Sequence, residues 1–293
     1  MFRRFDKQAT VALLPAIETG NLDELTRQLE AGGDCNARNQ RGVTYLTRAV
    51  TLQNRWIIEA LIDAGADVNG PCSEPAAHAL RLMPPSKRHV RSQPEENPFR
   101  RAGWTPLMEA ARVRAHHLID LLVNRGADPN AVTERGHTAL MESGGQGIAT
   151  VTQTLLDHGS AINQQNKEGW SALHFAAARG FLDVMQILLG SGAHINLADA
   201  KGYTPLMRAV LNGHQPTRML LRQGADVNVM GECGVSAMGL AVREGNAHVA
   251  SILMDHGANR FMESWRGKRV IESARKQGEC SEIYKLLKSY WKK

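Results

Sequence analysis

The sequence predicts an all-α solenoid, elongated and curved, built of helix-turn-helix units joined by short hairpin-like loops. One observation is a glycine that opens each unit, at successive gaps of 61, 33, 33, 33, 32 and 33 residues. A second, independent glycine series repeats these gaps with one more gap of 33 at its front. Fixed periods of this size indicate stacked units rather than a closed globule. The opening glycines are Gly42, Gly103, Gly136, Gly169, Gly202, Gly234 and Gly267, and the second series is Gly32, Gly65, Gly126, Gly159, Gly192, Gly224 and Gly257.

A hydroxyl residue two positions after the opening glycine predicts where the first helix of each unit starts. Its oxygen can accept a hydrogen bond from a free backbone N–H at the helix start. Pro106 and Pro205 then occupy the first helical position, where the missing donor of proline costs little. The second helix is more apolar, and the glycine after it suits a left-handed helix end. The hydroxyl residues are Thr44, Thr105, Thr138, Ser171, Thr204 and Ser236.

This combination resembles the ankyrin repeat, whose signature is a turn, T-P-L-H, two helices and G-A-D-V-N. The last motif stands unchanged at residues 65–69 and 224–228, and the resemblance covers residues 8 to about 287. It implies that His174 braces neighbouring turns, because His174 keeps the histidine of the family motif. Met108, Met141 and Met207 replace that histidine in other repeats; they are expected to fill part of the core, and the alternative is that they form an adaptable surface. The repeats are 8–40, 41–71, 102–134, 135–167, 168–200, 201–232 and 233–265.

The period also predicts the organisation of the chain. Residues 1–7 form an N-terminal extension, 8–71 hold repeats one and two, and 102–265 hold repeats three to seven. Residues 266–293 are a degenerate, polar capping repeat with a basic tail, as the end of a stacked array requires. Between repeats two and three lies a Pro-rich basic insertion, 72–101. It either extends the binding face through Lys87, Arg88 and Arg91 or is a solvated loop.

Charge and cysteine content constrain the class of protein. The net charge of +6 is concentrated in the insertion (+3) and in residues 266–293 (+6), so the remaining chain carries −3. The four cysteines show no disulfide or metal spacing, which favours a reducing compartment. No apolar run reaches the roughly 18 residues of a membrane span, and no secretory leader is recognisable. We therefore expect a cytoplasmic protein, with secretion into a host cell left open.

The residue that directly follows each opening glycine, here called the tip residue, carries a ring in four consecutive repeats. The resemblance implies that tip residues and first helices line a concave groove, and rings and arginines dominate binding energy at interfaces. The alternative is that the rings only cover the adjacent hairpin. The candidate partner-binding residues are Trp104, His137, Trp170, Tyr203, Glu109, Arg112, Glu142, Phe175, Arg179 and Arg208.

Repeat four departs from the pattern at Ser143-Gly144-Gly145-Gln146-Gly147. Glycine inside a helix costs roughly 1 kcal/mol relative to alanine, so a locally weak helix is expected. It is either simply loosened, which is the favoured interpretation, or a hinge or a site of close approach. The segment is not a phosphate loop, because no Gly-Lys-Ser/Thr follows it and no strand precedes it.

No catalytic or metal-binding motif emerges. Side chains of the adjacent His116 and His117 diverge by about 100° on a helix, so they do not predict a zinc site. No nucleophile elbow, His-Glu-x-x-His or kinase signature is present, and no cofactor is expected.

The leading hypothesis is a non-catalytic module, expected to be monomeric when free, that binds a protein partner as an adaptor, inhibitor or regulatory subunit. The alternatives are nucleic acid or an anionic membrane surface bound by the insertion and the tail, and an effector delivered into a host cell.

Overall fold

The structure is a computed structural model, and it describes residues 5–73, 102–259, 263–264, 268–276, 278 and 281–291. The insertion residues Lys87, Arg88 and Arg91 lie outside these ranges. Within them the chain forms sixteen α-helices in eight consecutive pairs, which confirms the expected all-α repeat class. The pairs are α1 (Lys7–Thr19) and α2 (Leu22–Glu30), α3 (Tyr45–Thr51) and α4 (Arg55–Asp63), α5 (Pro106–Arg112) and α6 (His116–Asn124), α7 (Ala139–Gln146) and α8 (Ala149–Asp157), α9 (Ala172–Arg179) and α10 (Leu182–Gly190), α11 (Pro205–Asn212) and α12 (His214–Arg222), α13 (Ala237–Arg243) and α14 (Ala247–Asp255), and α15 (Val270–Lys276) and α16 (Glu282–Trp291).

Among the residues that the structure describes, three loops between pairs contain a β-strand pair or an isolated β-bridge. Strands β1 (Glu263–Ser264) and β2 (Lys268–Arg269) pair antiparallel in the loop before α15. Isolated bridges join Arg38 to Thr44 and Met230 to Ser236 in two earlier loops. The all-α expectation therefore holds apart from this short pairing at the hairpins.

The hydroxyl residues start the first helices as predicted. Thr44, Thr105 and Thr204 each accept a hydrogen bond from the backbone N–H three residues later. Thr138 and Ser236 do the same at 3.2 and 3.1 Å. Each bond satisfies one of the donors that a helix start leaves without an intrahelical partner.

The chain folds as two compact units. The first comprises the described residues up to Glu142 together with Gln153–Ser160, and the second comprises Ser143–Thr152 and the described residues from Ala161 onward. In each unit the first helices of successive pairs pack against one another. Their buried faces hold Met108 and Met141 in the first unit and Met207 in the second, which confirms that these methionines fill the core.

Asparagine side chains join successive repeats of the first unit. Asn36 donates its amide to the carbonyl of Gly65 at 3.2 Å and accepts from the N–H of Asp67 at 2.7 Å. Asn69 makes the same two bonds to Gly126 and Asp128, although these partners lie 28 residues further along the chain than the period requires. Repeat two therefore stacks directly on repeat three, and the insertion leaves from the hairpin between them.

Two backbone bonds close the base of the insertion. The N–H of Cys72 donates to the carbonyl of Trp104 at 2.8 Å, and the N–H of Gly103 donates to the carbonyl of Cys72 at 2.9 Å. The chain thus returns beside the point where it left, so the added length does not separate the two helix pairs.

The glycines of repeat four permit close packing inside the second unit. Helix α7 continues through Gly144, where a Cβ atom would lie 2.8 Å from the carbonyl oxygen of Ala172. Ser143 beside it is buried and accepts a hydrogen bond from the hydroxyl of Thr152 at 3.0 Å. Of the three interpretations of this segment, simple loosening, a hinge and a site of close approach, the geometry at Gly144 corresponds to the last.

Candidate functional site

The tip residues are held by their own loops. In four loops the backbone N–H of the tip residue donates to a side-chain oxygen four residues earlier, and its carbonyl accepts from the N–H of that same residue. The opening glycines permit this turn because their φ angles lie in the left-handed region. The pairs are Val43 with Asn39, His137 with Thr133, Trp170 with Asn166, and Tyr203 with Asp199, at side-chain distances of 3.1, 3.0, 2.8 and 2.9 Å.

In the first unit the expected binding residues Trp104 and Glu109 are buried, which corrects the expectation that they face a groove. Trp104 is 8% exposed and Glu109 is 0% exposed. The indole N–H of Trp104 donates to Oε2 of Glu109 at 3.2 Å. A partner cannot touch this carboxylate while the fold is intact, so Glu109 acts as an internal acceptor.

Glu109 also takes up the charge of Arg112. The Arg112 guanidinium donates from Nε at 2.9 Å and from a terminal nitrogen at 2.7 Å, one bond to each carboxylate oxygen. The hydroxyl of Thr51, from repeat two, donates to the same carboxylate at 2.6 Å. A buried carboxylate needs such a complete set of donors, so the positive charge of Arg112 is compensated within the fold.

His137 and Glu142 form the partly exposed edge of this group. The His137 ring stacks on Trp104 with centroids 6.1 Å apart and an interplanar angle of 15°. Nε2 of His137 lies 3.1 Å from a carboxylate oxygen of Glu142. We call Trp104, Glu109, Arg112, His137 and Glu142 the Trp104 cluster; most of its polar atoms bond within the cluster.

A second group, here called the Trp170 cluster, lies within the second unit and comprises Trp170, Phe175, Asp199, Tyr203 and Arg208. The Arg208 guanidinium carbon lies 4.3 Å from the Trp170 ring centroid and 4.6 Å from that of Tyr203. Arg208 also forms an ion pair with Asp199, whose side chain is 1% exposed. Arg208 therefore joins the loop that holds Trp170 to the loop that holds Tyr203, and Asp199 compensates the positive charge of Arg208.

The ion pair with Arg208 helps to lower the pKa of Asp199. Burial alone would raise the pKa of the carboxyl, but the bond from Arg208 and the N–H groups of Tyr203 and Lys201 outweigh it and lower the pKa below its ordinary value. Asp199 is a residue that sequence reasoning missed. The spacing gave a signal for it, because Asn39 and Asn166 stand at the equivalent position before the opening glycine of other repeats.

The Trp170 cluster keeps part of its aromatic surface accessible. Trp170, Phe175 and Tyr203 are each partly exposed, and the Trp170 and Phe175 ring centroids lie 4.9 Å apart. Among the residues that the structure describes, the Trp170 indole N–H has no hydrogen-bond acceptor. Arg179, one helical turn after Phe175, is exposed and has no carboxylate partner within the described ranges.

His174 is a structural residue, as the resemblance implied. It is buried, its Nδ1 accepts from the backbone N–H of Ser171 at 3.2 Å, and its Nε2 lies 3.1 Å from the carbonyl of Tyr203 in the next loop. These partners require the neutral ring with the proton on Nε2. Desolvation is the main reason that the pKa of His174 falls to about 4.

Comparison with known proteins identifies the family. A family model described as "Ankyrin repeats (3 copies)" matches residues 79–166 and 145–231, which together span just over half of the chain. The chain belongs to the ankyrin repeat family. Ankyrin repeats generally mediate interactions between proteins.

Segments of three known proteins are similar to parts of this chain. The putative ankyrin repeat protein YahD of Escherichia coli is 30% identical, over 40% of this chain and 80% of YahD. The mouse RelA-associated inhibitor is 31% identical over 45% of this chain, and the human mitochondrial disaggregase is 40% identical over 20% of it. These two matches span only 12% and 8% of the relatives' own lengths.

The described part of this ankyrin chain contains no cluster of three or more His, Cys, Asp or Glu side chains suited to a metal ion. None of its helices combines the length and apolar character that crossing a bilayer requires. The proposed insertion site falls outside the described residues, so the hypothesis of nucleic-acid or membrane binding through Lys87, Arg88 and Arg91 stays a prediction.

Proposed function

We propose that this ankyrin repeat protein is a non-catalytic interaction module that binds a protein partner through its tip residues and first helices. It would act as an adaptor, an inhibitor or a regulatory subunit. The observation that carries the proposal is the partly exposed aromatic surface of Trp170, Phe175 and Tyr203 beside the exposed Arg179. Aromatic rings and arginine are the groups that contribute most to binding energy at protein interfaces.

Rigidity supports the same surface. The Trp170 ring is held between Phe175 and Arg208, and Tyr203 is held by Arg208 and by its own loop. Side chains that are already ordered lose little conformational entropy when a partner binds. The name of the mouse relative describes an inhibitor that associates with another protein, and this supports a protein ligand. The identity of that ligand is not transferred, because the match spans 12% of the relative.

Site-specific photocrosslinking tests the proposal, because it captures a partner whose identity is unknown. A photoreactive phenylalanine analogue is placed at Leu211, which is exposed on the first helix of repeat six, and in a control variant at Gln186, which is exposed on the second helix of repeat five. We expect discrete covalent adducts with one protein from position 211 and none from position 186. Equal adducts from both positions, or adducts from 186 alone, would contradict the proposed surface.

A further inference from the structure

Equivalent positions in repeats three and five are occupied by side chains of opposite chemistry. Glu109 and Phe175 both stand six residues after the opening glycine, and Trp104 and Trp170 both stand one residue after it. In repeat three the glutamate accepts the indole proton at 3.2 Å. In repeat five the phenylalanine cannot accept a hydrogen bond, and the indole N–H of Trp170 keeps its hydrogen-bonding capacity.

We infer that the indole N–H of Trp170 and the guanidinium of Arg179, which stands one helical turn after the Phe175 that packs on Trp170, bind an acidic side chain, next to an apolar one, in the protein partner. This inference rests on the proposed function and adds the chemistry of the ligand. Both groups donate hydrogen bonds and neither accepts them, so the ligand must supply acceptors.

The two arginines of this surface have different roles. The charge of Arg208 is compensated by Asp199 and its guanidinium is enclosed by two rings. Arg179 is exposed and uncompensated within the described residues, so it carries the positive charge that a ligand meets. A charge-assisted bond from arginine to a carboxylate is about twice as strong as one between neutral groups.

The surrounding charge favours an acidic ligand. The loops before repeats five and six and their first helices, residues 162–180 and 195–212, carry four basic and two acidic side chains. The ring faces of Phe175 and Trp170 beside the donors suit an apolar side chain next to the carboxylate. A single uncompensated guanidinium matches a single carboxylate. The negative charge of Glu168, two residues before Trp170, would repel the continuous row of phosphates of a nucleic acid. The six charged residues are Lys167, Glu168, Arg179, Asp199, Lys201 and Arg208.

Selection from a random twelve-residue peptide library, with the full chain immobilised, tests the ligand chemistry. We expect the selected peptides to be enriched in Asp or Glu next to an apolar residue. Trp170→Phe keeps the ring but removes the N–H group, and it should weaken binding of a selected peptide about tenfold in calorimetry. Phe175→Glu reproduces the arrangement of repeat three, and it should weaken binding further because it supplies an internal acceptor and a repelling charge.

Trp104→Phe is the matched control, because the N–H of Trp104 is already bonded to Glu109. Its affinity for the peptide should equal that of the unaltered chain even if its stability falls. Selected peptides without acidic enrichment, unchanged binding by Trp170→Phe, or displacement of the peptide by single-stranded DNA would overturn the inference. Peptides that lack acidic residues yet lose binding in Arg179→Ala would reject the ligand chemistry and leave the proposed function standing. Crosslinks at position 186 alone would reject both.

Discussion

At the scale of single residues, the side chain five positions after a tip tryptophan determines whether the indole is buried and bonded within the fold or accessible to a ligand. Glu109 turns Trp104 and Arg112 inward, because a buried carboxylate must collect donors. Phe175 makes no such demand, and Trp170 remains partly exposed. Two rings that look equivalent in the sequence therefore have different roles, since the difference depends on a residue five positions further along the chain.

The burial of His174 gives a prediction on pH. Its pKa of about 4 lies below the 6.5 of an unfolded histidine, so between these values the unfolded chain binds more protons. The free energy of unfolding therefore falls as the pH falls through this range. We expect this residue alone to remove about 2 kcal/mol between pH 7.5 and pH 5.

His174→Met is the matched variant, because methionine occupies the equivalent position in three other repeats. The variant loses the bond to the carbonyl of Tyr203 and should be less stable at pH 7.5. Its stability should nevertheless fall less on acidification than that of the unaltered chain. Urea unfolding at both pH values measures this difference, and equal losses in the two proteins would show that His174 does not titrate as described.

At the scale of elements, one position in the turn between the two helices of a pair has a positive φ angle, and this backbone conformation favours glycine there. Gly147, Gly180 and Gly245 stand eleven residues after their opening glycines and have φ near 70°. Gln53 and Arg114 occupy the equivalent positions in repeats two and three with φ of 55° and 64°. Side chains with a Cβ atom are strained in this conformation.

Arg114→Gly should therefore stabilise the protein by about 1 kcal/mol, since relief of the left-handed strain exceeds the entropy that glycine adds to the unfolded chain. Arg114 is exposed, so the substitution removes little packing. The control is Gly180→Ala, which should destabilise the chain because a φ of 73° strains any residue with a Cβ atom and because the side chain of Asn212 would have to shift. Thermal unfolding measures both changes; a lower Tm for Arg114→Gly would contradict the explanation.

At the scale of the whole molecule, periodicity predicted more than composition did. The glycine and hydroxyl spacing predicted the helix starts, the hairpins and the length that the insertion adds, because each depends on local backbone geometry. The side chain of Asn69 bonds to Gly126 at 2.9 Å and to Asp128 at 2.7 Å. Repeat two therefore contacts repeat three as if the insertion were absent.

The candidate site was less predictable for a physical reason. Whether a tip ring is free depends on contacts between neighbouring repeats, such as that of Thr51 with Glu109, and the period does not encode these. Sequence reasoning selected Trp170, Phe175 and Arg179, which are accessible, together with Trp104 and Glu109, which are not. It also missed Asp199, whose role becomes visible only beside Arg208.

On this proposal the indole N–H of Trp170 is available to a partner. The most direct test of that availability is the NMR spectrum of the indole N–H groups in the nitrogen-15-labelled chain. The five tryptophans give separate signals, which single Trp→Phe variants assign. On saturation with a selected acidic peptide, we predict that the Trp170 signal shifts while those of Trp104 and Trp56 stay in place. A shift of the Trp104 or Trp56 signal with an unmoved Trp170 signal would contradict the account.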